Sequence, residues 1–324
     1  MVELPFQPDK KLIEVLQESK KSGSFTVSAE IIPPRNGSEQ RLVLGQVRDL
    51  VSAGAQFLAV TKGAGGSLRG GSLPIAQAIK ESFKVPAIAH FTCRDLTPFD
   101  VENQLIDHHY FGIRNILALR GDPPDGQSEW TPREGGYRYA YELIAQIRRM
   151  NEGLFLPRAG GPQAEGQAGT DFCIGAAAYP EMADARARWE YFKLKVDAGA
   201  QFGITDMVFD AEAYARFLDD CGAHGVNVPV LPGTRLLKSR GQALRVAQKF
   251  KVSIPADVLA ALPDVPEKGV NPDGVQIGTE LLLRHVEKLR SYGAPGIHLY
   301  VIGDAQGASH ALRLLADGRK QARV

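Results

Sequence analysis

The chain has 324 residues, long for an ordinary domain but a usual size for an α/β barrel folded as one unit. Its 38 basic and 37 acidic residues leave a formal charge of +1, which excludes the one-signed field that holds nucleic acid or an anionic bilayer and favours a small-molecule partner. Apolar residues at 44% and charged ones at 23% exclude a disordered chain, and no run approaches the ~20 apolar residues of a membrane span.

In chain order, residues 1–22 form an N-terminal extension without an apolar leader core, so the cytoplasm is the expected compartment. The run FTVSAEI (25–31) then reads as a strand and SEQRLVLGQVRDLVSAG as its crossover helix. The same alternation continues through QFLAVT (56–61), LPIAQAIKESF, AIAHF (87–91), TPFDVENQLIDHHYFG and NILALR (115–120). Residues 153–170, rich in Gly, Ala, Gln and Pro, predict a flexible excursion before DFCIGAA (171–177) and FGITDMV (202–208). AEAYARFLDDCGAHG, VPVL (228–231), a second insertion over 254–274 with a short helix around 255–262, and GIHLYV (296–301) complete the series. Eight parallel strands without hairpins predict a single (β/α)8 barrel, a TIM barrel, over 1–324, with a doubly wound sheet as the alternative. Cys93, Cys173 and Cys221 lack CxxC spacing and predict reduced thiols in or near the core, with no metal site.

In such a barrel the chemistry sits at the carboxyl ends of the strands. Those ends carry Glu30, Thr61, His90 and Thr92, Arg120 and Asp122, Tyr179, and Asp206. Glu30 alternates with Ala29 and Ile31 and so points to the opposite face from them. It is either half of a salt bridge in the mouth or a carboxyl dry enough to hold a proton, as a general acid must. NILALRGDPPDG runs from an apolar strand straight into Arg120, Gly121 and Asp122, with Pro123 and Pro124 stiffening the loop; an ordinary polar turn explains it equally well. The glycines of TKGAGGSLRGG fit neither GxGxxG nor GxxxxGK[ST], so a flexible loop is the expectation there. His108 and His109 read as surface or packing residues, whereas His90 and His298 lie on strands, where a histidine is either hydrogen-bonded core or part of a site.

The segments SAEIIPPR, LAVTKGAGGS, AHFTCRDLTP, GIRNILALRGDPP, GAAAYPE, KLKVDAGAQFGITDMVFD, VPVLPG and GIHLYV, in this order over residues 23–315, resemble the methylenetetrahydrofolate reductase family. The resemblance implies FAD laid across the strand ends and a ping-pong reaction. NADH or NADPH would reduce the flavin, and a tetrahydrofolate derivative would then take the hydride as 5,10-methylenetetrahydrofolate becomes 5-methyltetrahydrofolate. By position it makes Glu30 the general acid that opens the imidazolidine ring, and Asp122 the carboxylate beside flavin and pterin. It implies flavin contacts at Thr61, His90, Arg120, Gly121, Asp122, Tyr139, Ala140, Ala177, Tyr179 and Lys195, and substrate contacts at Glu30, Asp206 and Gln242. Methionine biosynthesis is the pathway it implies.

The chain also departs from that pattern. Ala183 stands where the family usually has His, and the following segment is about four residues shorter. Asp206 replaces a common Gln, Val246 an aromatic and Gly303 an Asn. Two further readings therefore stay open: an oxidative-direction member that recovers methyl groups, and a non-catalytic folate-binding paralogue. A homo-oligomer is allowed but not required.

Overall fold

A computed structural model describes residues 6–34, 39–67, 70–124, 126, 127, 129–157, 168–266 and 271–321. Its eight strands are β1 (Thr26–Ile31), β2 (Phe57–Val60), β3 (Ala87–Thr92), β4 (Asn115–Leu119), β5 (Cys173–Ala178), β6 (Phe202–Met207), β7 (Val230–Thr234) and β8 (Gly296–Tyr300). All pair in parallel and in sequence order, and β1 closes on β8, so the sheet is a barrel and the open doubly wound alternative is excluded.

Among the described residues, eleven helices accompany the strands: α1 (Leu12–Lys21), α2 (Gln40–Ser52), α3 (Ser72–Phe83), α4 (Pro98–Tyr110), α5 (Ala140–Asn151), α6 (Ala185–Ala198), α7 (Ala211–Ala223), α8 (Arg240–Phe250), α9 (Ala256–Ala261), α10 (Gly274–Ser291) and α11 (Ala305–Gln321). Their starts follow from local chemistry. At α4 the Thr97 hydroxyl and the Asp100 carboxylate cap each other's backbone N–H groups, with Pro98 in the first turn; Asp184 and Asp210 cap α6 and α7.

Strand alternation sorts the core into two layers. Val27, Ala29, Ile31, Val60, Ala89, Phe91, Ile116 and Ile174 pack outward against the helices. Phe57, Ala59, Ile88, Leu117, Cys173, Phe202, Ile204 and Leu231 pack inside the barrel. The inner layer also takes Leu12 and Leu16 of α1, at 0% and 3% exposure. Residues 9–21 thus form a plug under the barrel floor. Leu12 N–H donates to the Asn115 side chain at 2.6 Å, and Ala87 N–H donates to the Asp9 carboxylate at 2.8 Å.

Strand β7 runs further than VPVL suggests: Pro232 and Gly233, residue types common in turns, belong to the sheet. The β6–β7 register shifts between Ile204 and Met207, a bulge beside which a proline is tolerated. A Cβ at Gly233 would collide with the Tyr300 ring and the Thr205 carbonyl, so the strand needs glycine to let that ring into the barrel mouth. The three cysteines are free and buried, as expected. Residues 158–167 of the expected excursion lie outside the described residues; on either side of them Leu156 N–H bonds to Glu102 and the Thr170 hydroxyl to Asn151. The loop over TKGAGGSLRGG makes a single 3-10 turn at Ala64–Gly66, with residues 68 and 69 outside the description. No helix among the described residues is long and apolar enough to cross a membrane.

Candidate active site

Above the apolar inner layer the barrel lining turns polar. Ser28, Glu30, His90 and His298 are all under 9% exposed and point inward by strand alternation. The Ser28 hydroxyl donates to the Ile297 carbonyl, so its oxygen accepts from His298 Nδ1 at 2.8 Å. Burial pulls His298 down to about 3, with His90 adding to the effect, and burial pulls His90 down to about 4; both rings are neutral.

Glu30 sits in this neutral lining. Burial alone raises its carboxyl to about 8. The salt bridge that the sequence left open does not form: the nearest basic group among the described residues is the neutral His90, with Nε2 3.7 Å from Glu30 Oε2, too far for a hydrogen bond. His90 Nε2 and the Thr61 hydroxyl are themselves buried without hydrogen-bond partners among the described residues. A carboxyl with no counter-charge, beside orphaned polar atoms, is a group prepared for a ligand.

The loop after β4 is fixed from three sides. Arg94 N–H bonds to the Arg120 carbonyl, the Arg94 guanidinium donates to the Asp122 carbonyl at 2.6 Å, and Gly65 N–H donates to the Asp122 carboxylate at 2.9 Å. Gly121 has φ +95°, and a Cβ there would lie 2.9 Å from Arg94 Cβ and 3.3 Å from Thr92 Cβ. Only glycine makes that turn without strain. Asp122 is exposed at the mouth, so its aim comes from this backbone lattice rather than from burial.

Across the mouth, Lys195 donates to the Ala177 carbonyl at 2.8 Å and lies over the Tyr179 ring at 5.1 Å. Burial first, and then the neighbouring Arg120, lower Lys195 to about 8. Two cations held this close favour an anion between them. Tyr139 and Ala140 mark the start of α5, where Tyr139 stacks on Tyr141 with centroids 5.3 Å apart.

Two residues not singled out from the sequence complete the rim. Tyr300 registers opposite Glu30, donates its hydroxyl to the Thr205 carbonyl at 2.6 Å and packs edge-on against His298. Alternation with His298 in GIHLYV was the signal for it. Glu181, within the AYPE segment, accepts from Ser253 N–H through one carboxylate oxygen and leaves the other buried without a partner.

A cavity of about 420 Å³ lies elsewhere, between the α7 start, α9 and α10. Of its lining charges Glu212 pairs with Lys288 at 2.5 Å, Asp210 turns to Arg216 outside the lining at 3.3 Å, and His285 donates to the Val208 carbonyl. No group of three or more His, Cys, Asp or Glu among the described residues could hold a metal ion.

The family profile described as methylenetetrahydrofolate reductase matches residues 15–314. The 5,10-methylenetetrahydrofolate reductase of Escherichia coli is 31% identical over 291 residues, 88% of either chain. This chain belongs to the methylenetetrahydrofolate reductase family.

The probable methylenetetrahydrofolate reductase (NADH) of rice is 31% identical over 303 residues, covering 92% of this chain and 49% of its own, and the Arabidopsis thaliana methylenetetrahydrofolate reductase (NADH) 1 is 30% identical over 295 residues, covering 90% and 48%. The chain spans about half the length of these plant relatives. A Clostridium thermocellum protein, whose solved structure binds two copies of 5-methyl-5,6,7,8-tetrahydrofolic acid, overlays with a TM-score of 0.55 at 15% identity, over 94% of this chain and 99% of that one; the likeness is of fold.

As a member of the methylenetetrahydrofolate reductase family, the chain brings most of the expected positions to one barrel mouth. Glu30, Thr61, His90, Arg120, Gly121, Asp122, Ala177, Tyr179 and Asp206 all come from strand ends or the loops just after them, and Lys195 reaches in from α6. Gln242 acts locally, its side-chain carbonyl oxygen accepting from Lys238 N–H and closing the start of α8, where Ser239 is the cap. Val246 is buried with Met207 and Phe209 in a satellite core, so its methyls fill space on that side of α8.

Proposed function

We propose that this chain carries FAD across the barrel mouth and interconverts 5,10-methylenetetrahydrofolate and 5-methyltetrahydrofolate with NADH or NADPH. The observation that carries the reading is Glu30, a buried carboxyl raised to about 8 with no counter-ion among the described residues, at the centre of a mouth that also brings Arg120 to Lys195. A carboxyl of this kind is protonated at neutral pH and can give its proton to a departing nitrogen.

The residues present suit a flavin dinucleotide. Arg120 and Lys195 supply the paired cations that a diphosphate needs, while the Thr61 hydroxyl and His90 Nε2 are buried polar atoms awaiting a partner. The Ala177–Tyr179 edge and the Tyr139 ring are open to a ligand, Tyr139 and Tyr179 at 45% and 38% exposure. Bound FAD would supply the two-electron relay of a ping-pong exchange between the nicotinamide nucleotide and the folate one-carbon unit.

The chain's own part is proton transfer and charge placement. Glu30 protonates the imidazolidine nitrogen, so the carbon–nitrogen bond breaks to a neutral amine and leaves a cationic iminium on the substrate. Asp122, held by Arg94 and Gly65, presents negative charge to that cation. His90 stays neutral throughout and so does not compete for the Glu30 proton.

Anaerobic absorbance spectra of the purified protein test this reading. A yellow flavoprotein that is bleached by NADH or NADPH and recovers its colour with 5,10-methylenetetrahydrofolate is the expected result. Protein that is colourless and takes up no added FAD contradicts it.

A further inference from the structure

Asp206 is held by a backbone fixed at every point. The β6–β7 bulge turns this part of the strand, the Thr205 hydroxyl donates to the Asp206 carbonyl at 2.6 Å and accepts from Gly233 N–H at 2.8 Å, and Tyr300 donates to the Thr205 carbonyl. The side chain, by contrast, bonds to no other residue among those described: Oδ1 is buried without a partner, and so is one oxygen of the neighbouring Glu181. Rigid support under an unsatisfied side chain is the arrangement expected of a group that meets a ligand.

The surroundings decide which form of Asp206 meets it. Facing it are Glu181 from the loop after β5, Tyr179 at the β5 end and Tyr300 from β8, with Glu30 beyond Tyr300; Glu181 in turn feels Asp210 and Arg188. None of these groups facing Asp206 is a cation, and among the described residues the one donor its carboxylate meets is its own backbone N–H. Burial, and then the Glu181 charge, raise Asp206 to about 7, and burial raises Glu181 as well. A carboxylate here would be desolvated beside a second acid, whereas the neutral acid needs only one acceptor.

We infer, resting on the folate reading above, that Asp206 binds the substrate heterocycle as a neutral acid, donating its proton to an acceptor atom of the ring system, and that Glu181 is the positioning residue that keeps the proton there. The pair acts on binding, separately from the proton that Glu30 delivers to the breaking bond.

Affinity for 5-methyltetrahydrofolate, measured by anaerobic calorimetry at about pH 6 and about pH 8.5, reads this out. Asp206 near 7 leaves only a few per cent of the acid form at the higher pH, so wild-type affinity falls roughly 30-fold. In D206N the amide donates at both pH values, so most of that fall disappears, and any fall that remains belongs to Glu30. In E181Q the midpoint moves to lower pH. Wild-type affinity that is level across the range, or D206N falling in parallel with wild type, overturns the inference. Wild-type protein that binds no 5-methyltetrahydrofolate at either pH overturns the folate reading instead. The carboxyl ¹³C resonance of ligand-free Asp206, assigned by its loss in D206N, then decides the inference alone: titration near 7 that moves down in E181Q supports it, and titration in the ordinary carboxylate range overturns it.

Discussion

Glu30 and Asp122, the two carboxyls given roles in the proposed chemistry, are prepared in opposite ways. Glu30 is kept out of water and raised to about 8 by burial, so it holds its proton below that pH and loses it as the pH rises past it. Turnover with folate is expected to fall tenfold per pH unit above about 8, a limb that Glu30→Gln removes together with the activity. A profile that stays level to well above 8 would assign the proton to another group. Asp122 is exposed and aimed by Arg94 and Gly65, so Asp122→Asn is predicted to slow folate-dependent reoxidation of the flavin by ~10²-fold while leaving flavin affinity nearly unchanged. Loss of flavin as the main effect, seen in the absorbance of the purified variant, would reassign it. The sequence identified both residues because they end strands, but it could not choose between acid and salt bridge for Glu30. That choice depends on what lies across the barrel, and the answer is two neutral histidines contributed by β3 and β8. Tyr300 and Glu181 were missed for the same reason, since their importance is in partners from other strands and loops.

Among the elements, the strands were legible because each is a short, mostly apolar run whose two faces are both buried. The end of β7 was not, since proline and glycine report a turn locally and their place in the sheet is set by the bulge and by the Tyr300 ring. The role of α1 was equally hidden: its apolar stripe shows an amphipathic helix, but only closure of the barrel shows that the partner is the floor. Leu16→Ala in this plug removes a nearly buried side chain and is predicted to cost about 2–5 kcal/mol in urea unfolding. A change within experimental error would mean that the plug is not part of the cooperative core. The loop after β4 gives a second prediction at this scale. Gly121→Ala forces a side chain into the left-handed region against Arg94 and Thr92, at roughly 1–3 kcal/mol, and it displaces Asp122. Unfolding measurements and the folate half-reaction should both suffer; an effect on neither would show that the loop tolerates a side chain there and that its geometry does not aim Asp122.

Across the whole molecule, a floor filled by α1 and a polar open mouth leave the carboxyl ends of the strands as the entry for the proposed ligands. The paired cations and orphaned polar atoms of that mouth are destabilising until they are occupied, so a bound dinucleotide is expected to stabilise the folded chain through linkage. FAD at a hundred times its Kd should add about 2.7 kcal/mol and raise Tm measurably in a thermal melt. An unchanged Tm would argue that the flavin reading is wrong, whatever the family. The fold and the family were visible in the ordered strand-end motifs. Whether Ala183 and the shortened segment before α6 alter flavin binding was not, because those positions act on a ligand rather than on the chain's own packing.

In the proposed chemistry Glu30 delivers the proton of the folate half-reaction and takes no part in the nicotinamide one. Anaerobic stopped-flow absorbance of the flavin, following reduction by NADH or NADPH and then reoxidation by 5,10-methylenetetrahydrofolate, separates the two in wild type and in Glu30→Gln. Near-normal reduction and no measurable reoxidation are expected in the variant. Reoxidation at the wild-type rate, or equal loss of both steps, would contradict this role for Glu30.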